Sequence, residues 1–171
     1  YGRENAISYS SGDKTYTATY SSTINYYTVK FVNDDGTVLQ EGQFSYGSNA
    51  YYQQKATPTK KPTAQFTYTF AGWDNKVTLV TDDVTYTATY DYTINKYKVT
   101  FVNEDGSVLQ TGELEYGKMP VYEKDTPTKA STVQETFTFA GWDKEITKVT
   151  GETVYTATYT AKTITKDDVN F

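Results

Sequence analysis

The chain contains no cysteine and no histidine. Disulfide staples, thiolate metal sites and thiol nucleophiles are therefore excluded, and so is any triad built on an imidazole base. Only one methionine and four prolines interrupt 171 residues. Positive charge is also short: 16 Lys and Arg stand against 21 Asp and Glu, for a net charge of −5. A nucleic-acid partner, which needs clustered basic residues, is not expected. No apolar run approaches the ~18 residues of a membrane span, so membrane insertion is not expected either. No cofactor is implied. The chain does not open on Met, and it reads as a fragment of something longer.

What is abundant is aromatic and β-branched. Eighteen residues are tyrosine, and aromatics make up 16% of the chain. Tyr, Thr and Val favour strands, and a few buried rings stabilise a small core. This composition does not suit a disordered chain.

Self-similarity organises the sequence. YTVKFVNDDGTVLQ (27–40) returns as YKVTFVNEDGSVLQ (97–110), 70 residues on. FTYTFAGWDNKV (66–77) returns as ETFTFAGWDKEI (135–146), now 69 residues on. One residue is missing from the second copy, between Tyr122 and Thr126, which suggests a loop or helix end because a slip inside a strand would exchange its faces. TYTATY closes the first copy at 85–90, VYTATY closes the second at 154–159, and TYTATY also stands at 15–20. In the same register Gly2 falls opposite Gly72 and Gly141, with Arg3 in the place of Trp73 and Trp142. The expected division is a remnant of a preceding repeat at 1–20, a linker at 21–26, repeat 1 at 27–90, a linker at 91–96, repeat 2 at 97–159, and a linker or the start of a further segment at 160–171.

Within one repeat, Tyr27, Val29 and Phe31 alternate with Thr28, Lys30 and Val32, a half-buried strand pattern. Asn33-Asp34-Asp35-Gly36 predicts a hairpin, because Gly accepts the positive φ of a primed turn. Thr37–Tyr46 is the return strand. Ser48 or Asn49 would cap a short helix ending near Lys55, after which Pro58 and Pro62 forbid continuation. Phe66–Ala71 and Thr85–Tyr90 are the third and fourth strands, and Gly72-Trp73-Asp74 breaks the third. The fold class is thus mainly β or α+β: two tandem small domains, each about four strands with a short helix or loop, in an elongated array. Both linkers are short and neither is glycine-rich, which predicts limited bending.

FVN-D/E-DG-x-VLQ, EYG, TPTK, FTFAGWD and TYTATY follow one another in a pattern that resembles the internalin B-repeat family of Gram-positive bacteria (Listeria–Bacteroides repeats), over residues 27–159 and the fragment 1–20. The resemblance implies a β-grasp-like fold, a small sheet gripping a helix. It further implies an extracellular place on a bacterial surface, wall-attached or secreted, and a non-catalytic stalk or spacer role beside neighbouring repeats. An adhesin-like module that contacts a host surface protein or glycan is the alternative.

Trp73 and Trp142 offer either a sugar-stacking platform or a core anchor, and small cores favour the anchor. Phe31, Phe101, Phe70 and Phe139 are expected beside them. Tyr51, Tyr52, Tyr92 and Tyr122 fall in expected loops or linkers, where an exposed Tyr suits ligand contact. The acidic runs 33–36 and 103–106 recur between strand patterns and lack the twelve-residue span and terminal bidentate Glu of an EF-hand loop, so a turn explains them better than a metal site. Asp74 and Asp143, the other shared acids, would end the third strand. A Lys–Asn isopeptide cross-link would need a Lys, an Asn and an acid buried together, and no such grouping stands out.

Overall fold

The computed structural model describes residues 12–165 and 168. Among these residues, eight strands form two four-stranded sheets. The first holds β1 (Tyr26–Val32), β2 (Val38–Ser45), β3 (Phe66–Trp73) and β4 (Val84–Ile94), in the order β2-β1-β4-β3. The second holds β5 (Lys96–Val102), β6 (Val108–Glu115), β7 (Glu135–Trp142) and β8 (Thr153–Thr163), in the order β6-β5-β8-β7. In each, the two outer pairs are antiparallel and the central pair, β1·β4 or β5·β8, is parallel. The molecule is mainly β, with two tandem units. The missing residue of the second copy falls in the β6–β7 loop, and the two sheets keep matching registers.

The alternation in the sequence maps onto one covered face. Val29 and Phe31 of β1 and Tyr86 of β4 are almost fully buried, with Val80 and Ala50 supplied by the loops above them. Val99, Phe101, Tyr155 and Val149 repeat this core in the second sheet. The opposite face is polar and open, where Lys30 and Glu41 pair at 3.3 Å across β1 and β2.

The expected short helix after Ser48 is absent. Ser48 hydroxyl donates to the Ser45 carbonyl (2.7 Å) instead of capping a helix. Gln40 holds the next residues extended: its amide donates to the Tyr51 carbonyl (2.9 Å) and accepts from the Gln53 N–H (2.7 Å). Ala50 then sinks into the core. A single helical turn carries the cost of nucleation with little return, and side-chain bonds to an extended backbone win.

Three boundaries also move. β3 does not break at Gly72 but bulges there, with Phe70 opposite Tyr90 and Gly72 opposite Thr89. β4 and β8 run on to Ile94 and Thr163, into segments expected as linkers. Only Asn95 separates β4 from β5. Residues 12–25 carry no strand, and Tyr16 and Tyr20 are exposed. The TYTATY motif at 15–20 is therefore not paired, although the same motif at 85–90 is. β4 is held by β1 and β3, and among the described residues no such partners flank 15–20. The matches proposed for Gly2 and Arg3 lie outside the described residues.

Candidate functional site

Both copies build the hairpin loop in the same way. Gly36 takes φ 85° and Gly106 φ 84°, while no non-glycine among the described residues has positive φ. The turn is thus not the primed form expected, which requires positive φ at one or both central residues, here Asp34 and Asp35. It is longer, closed by the Asn33 N–H on the Thr37 carbonyl (2.8 Å) and the Gly36 N–H on the Asn33 carbonyl (2.9 Å). Asp35 fixes it by accepting from the Thr37 N–H at 2.9 Å, and this bond holds its carboxyl below the ordinary value. Asp105 does the same with Ser107. These carboxylates act as turn locks. Among the described residues no three acidic side chains gather in a way that would hold a metal ion.

Asn33 bolts the turn to the rest of the domain. Its carbonyl oxygen accepts from the Tyr90 hydroxyl and its amide donates to the Thr59 carbonyl (3.1 Å). Asn103 repeats this with Tyr159 (2.6 Å) and Thr128 (3.0 Å). Burial pushes both tyrosine hydroxyls above their ordinary value. Lys60 pairs with Asp34 beside this bolt, and Lys129 pairs with Glu104. Lys60 also lies 4.7 Å from the centre of the Tyr68 ring, and Lys129 4.3 Å from that of Phe137. Lys, Asn and acid do meet here, a grouping the sequence did not suggest. However, the lysine and acid are partly exposed and paired as ions, and the asparagine is committed to Tyr90 and Thr59, so the arrangement is not that of a buried cross-link.

Asp74 and Asp143 close the third strand onto the fourth. The Asp74 carboxylate accepts from the Thr87 N–H (2.9 Å), and the Asp74 N–H donates to the Thr87 carbonyl (2.8 Å). Asp143 and Thr156 do likewise.

Trp73 reaches the core because of the bulge. Strict alternation from Phe66, Tyr68 and Phe70 would turn position 73 to the open face. The extra residue, Ala71, left unpaired beside Gly72 (φ 131°), sets Trp73 opposite Ala88 on the covered face. The half-buried indole meets Phe31 at 4.8 Å, Tyr52 at 5.2 Å and Phe70 at 5.3 Å. Trp142 meets Phe101, Tyr122 and Phe139 at similar distances. A ring so surrounded offers little flat surface to a sugar. Phe31 and Phe101 are buried, whereas Phe70 and Phe139 are half-buried beside the tryptophans.

The four candidate contact tyrosines separate into two kinds. Tyr52 and Tyr122 are half-buried core residues, packed on Phe31 and Phe101, because the extended segments after Gly47 and Gly117 fold over the sheet. Tyr51 and Tyr92 are exposed, at 56% and 64%. They are not brought together: Tyr51 lies edge-on to Phe44 and Tyr92 to Phe66. In repeat 2 the counterparts of Phe44 and Tyr51 are Leu114 and Val121. These smaller side chains leave a cleft of about 250 Å³ over Val99 and Phe101, rimmed by Met119, Glu113 and Glu123.

The junction was missed by the sequence reading. Asn95, between β4 and β5, donates its amide to the Thr63 and Ala64 carbonyls (2.8 and 3.0 Å) and accepts from the Thr67 hydroxyl (2.7 Å). Its backbone N–H donates to the Gln65 carbonyl, and its own carbonyl accepts from the Tyr116 N–H of repeat 2, both at 2.9 Å. The Tyr97 hydroxyl, on β5, reaches back to the Ala64 carbonyl at 2.6 Å. One residue thus ties both units. The signal for it was present, since Thr-Ile-Asn occurs at 23–25 and again at 93–95.

No family model matches the chain, so membership of the B-repeat family is not shown. A protein of Evansella cellulosilytica, bearing the name Gly-rich membrane protein, is 30% identical over 132 residues. That match covers 73% of this chain and 14% of the relative's length. Among solved structures, domains 3-4 of the Streptococcal High Identity Repeats in Tandem (SHIRT) from a cell surface protein share 20% identity at a TM-score of 0.35, over 81% of this chain and 99% of that one.

Proposed function

We propose that this chain is a non-catalytic spacer segment of a bacterial surface or secreted protein, in which the repeats set the position of other parts of the protein. The observation that carries this reading is the Asn95 junction, where one side chain and two backbone bonds tie successive repeats with no free linker. The polar groups common to both copies support it. Asn33 and Asn103, Asp74 and Asp143, and Gln40 and Gln110 each bind within their own repeat. The B-repeat resemblance, and the likeness to a short stretch of a much longer bacterial protein named for a membrane, support the surface location.

A second reading, a binding module that contacts its ligand through exposed tyrosine, is favoured by one feature of repeat 1. Tyr92 is 64% exposed and stands against Phe66 at 4.8 Å, a pair that Glu135 and Ala161 replace in repeat 2. Surface plasmon resonance of the chain against mucins, matrix proteins and polysaccharides separates the two. A spacer gives no saturable binding. Binding that disappears in Tyr92→Ala would overturn the spacer reading in favour of the module.

A further inference from the structure

The end of repeat 2 that receives repeat 1 exists a second time, uncovered, at the start of repeat 1. Thr23-Ile24-Asn25 repeats Thr93-Ile94-Asn95, and Tyr27 and Tyr46 stand where Tyr97 and Tyr116 stand. The backbone is already set alike. The Asn25 carbonyl accepts from the Tyr46 N–H at 2.8 Å, as Asn95 does from Tyr116 at 2.9 Å. Covering differs. Ile24 is 68% exposed against 42% for Ile94, and Tyr46 is 60% exposed where Tyr116 is half-buried. Among the described residues, the Asn25 amide and the Tyr27 hydroxyl have no partner, while Asn95 and Tyr97 grip the 63–65 turn.

We propose that Asn25, Tyr27 and Tyr46 form a socket for the β3-entry turn of another copy of this repeat placed N-terminally. This deepens the spacer reading and rests on it. The occupant is defined by its chemistry: a tight turn presenting three successive carbonyls, as Thr63, Ala64 and Gln65 do. Residues 15–20 carry the sequence that ends such a copy, at the spacing from Asn25 that 85–90 keeps from Asn95. The other end of the chain is different. The same turn is built at 132–135, with the Thr132 N–H on the Glu135 carbonyl, but Ile164 stands in the clamp position and has no side-chain amide. Among the described residues, the Ile164 N–H alone reaches back to that turn, at the Gln134 carbonyl. The clamp asparagine thus stands before repeat 1 and is replaced after repeat 2.

The test duplicates residues 25–94 immediately after Ile94, so that the second Asn25 follows a complete repeat while Asn95 keeps its own junction. Paired spin labels at Thr69→Cys in the two copies read the new junction. Labels at Thr69→Cys and Thr138→Cys read the native one. The expected result is two distance distributions of equal, narrow width, with the new one broadened by Asn25→Ala or by Tyr27→Phe in the second copy. Tyr27→Phe keeps the ring and the core, so a folding failure of the asparagine variant would not hide the answer. A broad new junction beside a narrow native one would overturn the socket and leave the spacer standing. A narrow new junction indifferent to both substitutions would also overturn it. Broad distributions at both junctions would overturn the spacer reading itself.

Discussion

Asn33 shows how much one side chain does in a domain this small. Its amide oxygen receives the Tyr90 hydroxyl from β4, the strand beside β1, and its nitrogen holds the Thr59 carbonyl, so hairpin, loop and last strand meet at one residue. Asn33→Ala removes two bonds and leaves a part-buried hydroxyl unsatisfied. At about 1 kcal/mol per bond, with a similar cost for an orphaned group, repeat 1 is expected to lose ~2–3 kcal/mol in a denaturant titration. The tyrosines there also contribute to stability at alkaline pH. Tyr90 and Tyr159 hold their protons more tightly folded than unfolded, chiefly because burial disfavours the ionised ring. Their contribution is therefore complete below the ordinary tyrosine value of 10 and is lost as pH rises through the raised values. Melting temperature followed from pH 9 upward is expected to fall, and to fall less in Tyr90→Phe/Tyr159→Phe. Asp35 and Asp105 have the opposite sign. Their lowered values give stability that is present above the ordinary value of 3.8 and lost as acid protonates them.

At the scale of elements, the bulge in β3 decides whether Trp73 is a core residue. Gly72 holds φ 131°, a region that a side chain enters only with strain. Gly72→Ala is expected to cost ~1–3 kcal/mol and to shift tryptophan fluorescence toward that of an exposed indole. The cleft over β5 and β6 gives a prediction of the other sign. Phe44 and Tyr51 cover the matching place in repeat 1, so Leu114→Phe/Val121→Tyr is expected to raise the stability of repeat 2 by ~1 kcal/mol or more, by burying apolar area. A lowered midpoint would mean that the cleft walls cannot admit the rings.

The strands themselves were legible, because Tyr27-Val29-Phe31 and Tyr86-Ala88-Tyr90 alternate with Thr and Lys and one face is covered. The bulge was not. Alternation counts residues, and Gly72 marks the end of a strand as readily as the bulge that leaves Ala71 unpaired. The absent helix was misjudged for a similar reason. Ser48 has the chemistry of a cap, but the segment is decided by Gln40, eight positions earlier and on another strand. Tyr52 and Tyr122 read as surface residues because a loop folding over a sheet leaves no periodic trace. Asn95 was visible as a repeated tripeptide, yet its role depends on carbonyls some thirty residues upstream.

For the whole molecule, everything turns on whether the two repeats behave as one body. Asn95 contributes three side-chain bonds at the junction, so Asn95→Ala is expected to cost repeat 1 ~1–3 kcal/mol and to let the repeats reorient independently. The most direct measurement is a set of backbone residual dipolar couplings for the intact chain and for Asn95→Ala. A clamped spacer predicts that one alignment tensor fits both repeats of the intact chain, and that Asn95→Ala requires two tensors of different magnitude. Two different tensors for the intact chain would contradict it.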